Sequence, residues 1–207
     1  MTAVLLLRLE GPLQSWGVRA RWDVRDSSDR PTKSGVIGLI GNAMGLSRSD
    51  RRLVELGNLF RFGIRIDRSG EKMVDFHTVS GALPSADGRR KGTEAKPYTI
   101  LTPRTYLQDA SFLAGLEGCW ELVEECAAAV SRPRRPYFLG RKCCPPSVPV
   151  FVKVERGGTL EEALIGPGRE VFLENAEGEI ESHDRWLGTP AREYGATRYK
   201  RVRGGRR

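Results

Sequence analysis

Histidine and cysteine are scarce in this chain, and their scarcity removes several chemistries at once. Among 207 residues there are two histidines and four cysteines. The cysteines, Cys119, Cys126, Cys143 and Cys144, show no C-x-x-C spacing, and adjacent Cys143-Cys144 is a poor zinc pair. No metal and no other cofactor is expected. G-x-S-x-G, H-x-x-x-H and the G-x-x-x-x-G-K-[ST] loop are all missing, so the sequence announces no esterase, zinc peptidase or Walker-type nucleotide site. No apolar run approaches the roughly 18 residues of a membrane span. Val4–Leu7 is too short for a signal-peptide core. The expectation is a soluble, cytoplasmic protein that does not meet membranes. A chain of this size buries on the order of 70% of the surface its unfolded form exposes and needs no disulfide to fold. No internal repeat is visible, and one domain spanning 1–207 is expected.

Charge is present in excess and unevenly placed. Thirty-four Lys and Arg against 26 Asp and Glu give +8. Residues 192–207 carry seven bases and one acid. Arg132, Arg134, Arg135, Arg141 and Lys142 fall in a stretch without acid. Between Glu155 and Asp184 nine acids face two bases. Segregation of this kind suggests a basic face for a phosphate backbone. For 203–207 a basic tail that only aids solubility is the alternative.

Val4–Leu9 reads as a buried strand closed by Gly11-Pro12. A polar loop with Trp16 and Trp22 follows. Pro31-Thr32-Lys33-Ser34 looks like a helix start with Thr32 or Ser34 as N-cap. That helix runs from Gly35 to about Met44, and Gly35, Gly38 and Gly41 leave a bare face for another backbone. Ser49 is expected to cap a second helix to about Leu56. Phe60–Ile66 alternates as a strand. Met73–Val79 and Tyr98–Leu107 have strand character around a polar tip, Gly81–Pro97, and so form a long hairpin. Ala110–Leu116 is a strand and Cys119–Val130 a helix with Trp120, Val123, Ala127 and Val130 on one face. Val148–Val154 is a strand, Leu160–Leu164 a short helix, Val171–Leu173 an acidic strand and Thr197–Val202 a basic one. Without the hairpin the order is strand-helix-strand twice. That is the α+β, ferredoxin-like βαββαβ pattern of RNA-recognition domains, with four antiparallel strands and two helices on one face.

Three short motifs carry the chemistry. In Gly11-Pro12-Leu13-Gln14-Ser15-Trp16-Gly17 the indole either stacks on a base, with Gln14 and Ser15 bonding phosphate or base edges, or folds back onto the core. Pro31-Thr32-Lys33-Ser34-Gly35 is either an anion-binding helix start or a plain N-cap. Leu139-Gly140-Arg141-Lys142-Cys143-Cys144-Pro145-Pro146 places two cations at a tight turn, suited to phosphates or simply solvated. His77, at the base of the hairpin, and His183 have no evident catalytic partner, and Glu121 with Glu125 reads as a solvated helix face.

Taken in this order, the three motifs resemble the Cas-five family of CRISPR-associated proteins, specifically its subtype I-E branch, from the first strand to about Val154. The resemblance implies a ferredoxin-like palm with an inserted β-hairpin thumb at 73–107. It also implies a non-catalytic subunit of the Cascade complex that grips the 5′ handle of the CRISPR RNA (crRNA). The implied protein partners are the backbone subunit CasC and the large PAM-reading subunit CasA, with target DNA met indirectly. Gln14, Ser15, Trp16, Lys33, Ser34, Arg141 and Lys142 match the family's motifs as RNA-binding positions. Arg89, Lys91 and Arg104 are assigned to RNA by charge and position alone. The rival readings are a repeat-cutting endoribonuclease using His77 and a purely structural adaptor.

Overall fold

A nearly unbroken apolar run makes β1 (Thr2–Glu10) a strand buried on both faces, and the rest of the molecule is arranged around it. The computed structural model describes residues 1–17, 25–85, 87–166, 168–174, 180–182 and 200–203. The expectations for Trp22, for His183 and for the basic end beyond Arg203 lie outside these residues. After β1 come β2 (Leu13–Gln14), α1 (Lys33–Met44), α2 (Arg52–Leu59), β3 (Arg61–Arg68), β4 (Glu71–Gly81), β5 (Leu83–Pro84), β6 (Arg90–Lys91), β7 (Tyr98–Gln108) and β8 (Ser111–Cys119). The chain continues with α3 (Trp120–Ser131), β9 (Phe151–Arg156), α4 (Leu160–Leu164), β10 (Glu170–Glu174), β11 (Ile180–Ser182) and β12 (Lys200–Arg203).

The protein is a mixed α/β structure on antiparallel sheets. The main sheet runs β11-β10-β3-β8-β1-β9, with β12 also pairing β10. The expected four strands are therefore widened by the acidic and basic strands near the C-terminal end. Leu5, Leu7 and Leu9 pack with Val36 and Ile40 of α1 and Val123 and Cys126 of α3. On the opposite face Val4 and Leu6 meet Leu160 and Leu164 of α4. Residues alternating in direction thus supply both cores, as the period of a strand requires. Helices cover both faces of the sheet rather than one.

Several boundaries shift for local reasons. Helix α1 is capped by the Thr32 hydroxyl, which accepts from Gly35 N, and closes at left-handed Gly45. The Ser49 cap is corrected: the Asp50 carboxylate accepts from Arg52 N at 2.9 Å, and α2 runs to Leu59. The bare glycine face is corrected too. Gly35 meets the Trp16 ring, at 3.0 Å from an added Cβ, and Gly41 meets Leu53, while Gly38 stands open. Side chains, not a backbone, fill the space. Residues 145–150 remain a loop held to β1 by Ser147 N to Glu10 O (2.9 Å) and Arg8 N to Val150 O (2.8 Å), so β9 starts only at Phe151.

The hairpin is longer than expected. Strands β4 and β7 pair in unbroken register from Glu71 opposite Gln108 to Gly81 opposite Tyr98. At its base β2 adds to β7, Leu13 opposite Gln108. The chain enters and leaves through two left-handed residues, Gly70 (φ 71°) and Asp109 (φ 55°). Arg68 Nε donates to the Asp109 carbonyl, and Asp109 N donates to Pro12 O at 3.2 Å.

Candidate nucleic-acid interface

The three sequence motifs converge where the hairpin leaves the sheet. As the chain exits β1, Gln14 turns inward and is fully buried. Its Nε2 donates to Leu9 O (3.1 Å) and Ala110 O (2.8 Å), and its Oε1 accepts from Trp16 Nε1 at 3.0 Å. Ser15 N donates to Leu139 O (3.0 Å) and its hydroxyl to Thr105 O (3.1 Å). Trp16 is 2% exposed, sealed beneath the first turn of α1. The structure places the Gln14, Ser15 and Trp16 side chains, expected at RNA, inward on protein partners. Every polar atom among them that the fold buries has found an internal partner, and the indole belongs to the core.

The Leu139–Pro146 loop is fitted onto this exit. Gly140 is left-handed (φ 87°), and a side chain there would run into the Ser15 carbonyl. Leu139 N donates to Cys144 O (2.7 Å) and Cys144 N to Arg141 O (2.9 Å), closing the turn. Arg141 then reaches back into the protein. Its Nη2 donates to Arg25 O at 2.9 Å, and its guanidinium lies 4.6 Å from the centroid of the Tyr106 ring. The Arg25 backbone in turn bridges to the hairpin, N to Pro103 O (3.0 Å) and O from Thr105 N (2.8 Å). Arg141 is thus a staple between the exit segment and the hairpin base, not a cation turned outward. Burial, then a hydrogen bond with Cys143, pushes the Tyr106 phenol up, against the opposing pull of Arg141. Among the described residues, Arg25 and Lys142 are exposed cations of this junction. Arg104 is half-buried on β7, with Nε 3.4 Å from Thr102 Oγ1.

Lys33, expected at an anion, is ion-paired within the protein. Its Nζ holds both oxygens of Glu174 at 2.7 Å, and Glu174 Oε2 also accepts from Phe62 N at 2.9 Å. The Lys33 charge is thus met by a carboxylate from β10. Ser34 remains exposed beside it, at the mouth of a pocket between α1 and α2. Arg89 and Lys91 stand exposed at the far end of the eleven-residue stem, apart from the junction; Lys91 Nζ sits 5.6 Å from the Tyr98 ring centroid. His77 Nδ1 lies 3.8 Å from Asp75 Oδ2, both half-exposed.

Sequence reasoning missed Arg25, whose part is played by its backbone, and Tyr106, hidden in a strand pattern. It also missed an uncharged face of the hairpin. Val74, Phe76 and Thr78 share that face with Thr105, Pro103 and Leu101, and Phe76 is 68% exposed. The alternation of Val74 and Phe76 with Asp75 and His77 was the available signal.

A family model described as CRISPR-associated protein (Cas_Cas5) matches residues 4–203. The chain belongs to the Cas5 family. It is 31% identical over 191 residues to the CRISPR system Cascade subunit CasD of Escherichia coli strain K12, covering 85% of this chain and 83% of that protein. A structure titled CRISPR RNA-guided surveillance complex contains a chain 30% identical to this Cas5 protein, with a TM-score of 0.67 over 83% of this chain and 77% of that one. A structure titled Crystal structure of Cas protein is 35% identical, with a TM-score of 0.61 over 85% and 82%. Among the described residues, no helix of this Cas5 chain is long and apolar enough to cross a membrane.

Proposed function

We propose that this Cas5 chain is a non-catalytic crRNA-binding subunit of a type I-E Cascade complex that grips the 5′ handle and caps one end of the backbone filament. The observation that carries this reading is the junction: a rigid platform of three interlocked loops at the hairpin base that presents Arg25 and Lys142 outward. The strand order β9-β1-β8-β3, with α1 and α3 in the two crossovers, supports naming the body a ferredoxin-like palm. The β4–β7 hairpin, containing 73–107, is its thumb within one domain. The uncharged face of the thumb suits a protein neighbour, for which CasC is the candidate. CasA is assigned to the same end of the complex, and target DNA is met only through the assembly. Single-stranded RNA is read by shape and unpaired edges, and Ser34, Arg89, Lys91 and Arg104 join Arg25 and Lys142 as contact positions.

Binding of a fluorescent handle RNA, measured by anisotropy over a salt series, tests this. Arg25→Ala with Lys142→Ala should reduce the logarithmic salt slope by about 1.4, at about 0.7 for each lost contact to a single strand. An unchanged slope would sink the junction as the RNA-facing surface. Repeat RNA incubated with the chain without metal should stay intact; cutting that disappears in His77→Ala would favour the endoribonuclease.

A further inference from the structure

We infer that Cys143 and Cys144 form a reversible thiol–disulfide site that sets the shape of the Leu139–Pro146 loop. Their sulfurs lie 3.9 Å apart. Cys143 is exposed and Cys144 is fully buried. One thiol therefore meets solvent while its neighbour waits behind it, shielded from any large reagent. The remaining two cysteines do not share this arrangement: Cys126 is buried within α3 and Cys119 is exposed at the end of β8.

The co-reactant class is a small-molecule disulfide. The Cys143 thiolate attacks one sulfur of that disulfide, forming a mixed disulfide and releasing the first small thiolate. The Cys144 thiolate then attacks the Cys143 sulfur, forming the Cys143–Cys144 bond and releasing the second. Two protein thiols lose two electrons, the small disulfide gains them, and the two protons pass to the departing thiolates. Burial and the adjoining Cys143 push the Cys144 thiol up to about 12, so the second step gives up its proton reluctantly and the site responds slowly.

Geometry makes the product labile. Neighbouring Cα atoms are about 3.8 Å apart across a trans peptide, below the usual range of about 4.4–6.8 Å for disulfides. A bond formed under such constraint is easily reduced again. It also has structural consequences. Closing the sulfurs to about 2.05 Å draws Cys144 from the core or Cys143 from the Tyr106 hydroxyl, 3.4 Å away. Both residues follow directly on Arg141 and Lys142. Arg141 staples the Arg25 segment to the hairpin base, so oxidation disturbs the platform from within. The thiol chemistry stands apart from the RNA reading; only its effect on RNA binding rests on that reading.

The full chain is incubated with glutathione disulfide, quenched in acid and digested, and the peptide holding Cys143 and Cys144 is weighed. The expected peptide is lighter by two hydrogens, carries no glutathione, and regains its mass in dithiothreitol. In Cys144→Ala one glutathione should remain on Cys143. A stable glutathione adduct on the unaltered chain, or unreacted Cys143 while Cys119 is modified, would overturn the site without depending on the variant's folding. Handle RNA affinity is read on the same oxidised and reduced samples and should fall roughly tenfold on oxidation, about the effect of one displaced charge-assisted hydrogen bond. Equal affinities would overturn the coupling to the platform. Absence of binding by the reduced chain would instead fail the RNA reading and leave the mass result standing.

Discussion

The palm and the hairpin are both antiparallel, yet they are stabilised by different means. Strand β1 sends Leu5, Leu7 and Leu9 into one core and Val4 and Leu6 into the other, so the strand is held from both faces. Strands β4 and β7 have an equally regular ladder, but Val74, Phe76, Tyr98 and Leu101 remain exposed. A two-stranded ribbon is at best marginally stable in water. This one keeps its shape because β2 and the Arg25 backbone tie its base to the palm. Backbone pairing gives the hairpin its geometry, whereas burial gives the palm its stability. An exposed apolar face on an otherwise regular ribbon is the kind of surface that partner molecules cover.

The sharpest way to break this contrast is in the palm. Trp16→Ala should cost about 3–5 kcal/mol and lower the melting temperature by roughly 2–4 °C for each kcal/mol. A variant with unchanged melting and weakened RNA binding would return the indole to the surface. Lys33→Ala comes next. It strands the Glu174 carboxylate, 7% exposed in its side chain, beside β3, and should cost about 3 kcal/mol in denaturant unfolding. Replacing both partners, Lys33→Met with Glu174→Leu, should recover most of that loss, because a buried pair is worth little against an apolar one.

Those two residues also show where the sequence stops being legible. Lys33 read as an anion ligand because its local signals, a Thr cap and a Ser neighbour, are those of a helix start. Its true partner lies 141 positions away, beyond any local pattern. Trp16 between small residues looked available for stacking. Only the meeting of the exit loop with Gly35 shows it buried. By contrast β1, β3 and α3 were readable, since strand alternation and helical periodicity are local and the core follows them. The hairpin was readable as two strands around a polar tip. Its length was not, because the ladder continues through Glu71, Lys72 and Gln108, which have no apolar pattern.

A smaller effect sharpens the comparison at the junction. Gly140→Ala should cost about 2 kcal/mol, from the left-handed backbone and the overlap with the Ser15 carbonyl. Chemical denaturation would read it, and Gly88→Ala at the open hairpin tip, also left-handed but unobstructed, should cost less. The smallest change in stability belongs to the hairpin. Phe76→Ser should shift unfolding by no more than about 0.5 kcal/mol, yet the variant should co-purify with fewer backbone subunits. A large loss of stability from Phe76→Ser would mean that the ribbon's exposed face is already packed within the chain.

The paired left-handed residues at Gly70 and Asp109 turn the hairpin into a cantilever. Eleven residues at about 3.4 Å each make an arm of roughly 35 Å, held in its root half by Arg68, Pro12, β2 and the Arg25 backbone. An arm of that length multiplies whatever happens at its fulcrum: a tilt of a few degrees carries Arg89 and Lys91 through several ångströms. Positioning at the tip is therefore decided by a small set of bonds at the opposite end, and a neighbour that leans on the tip gains leverage over the same bonds.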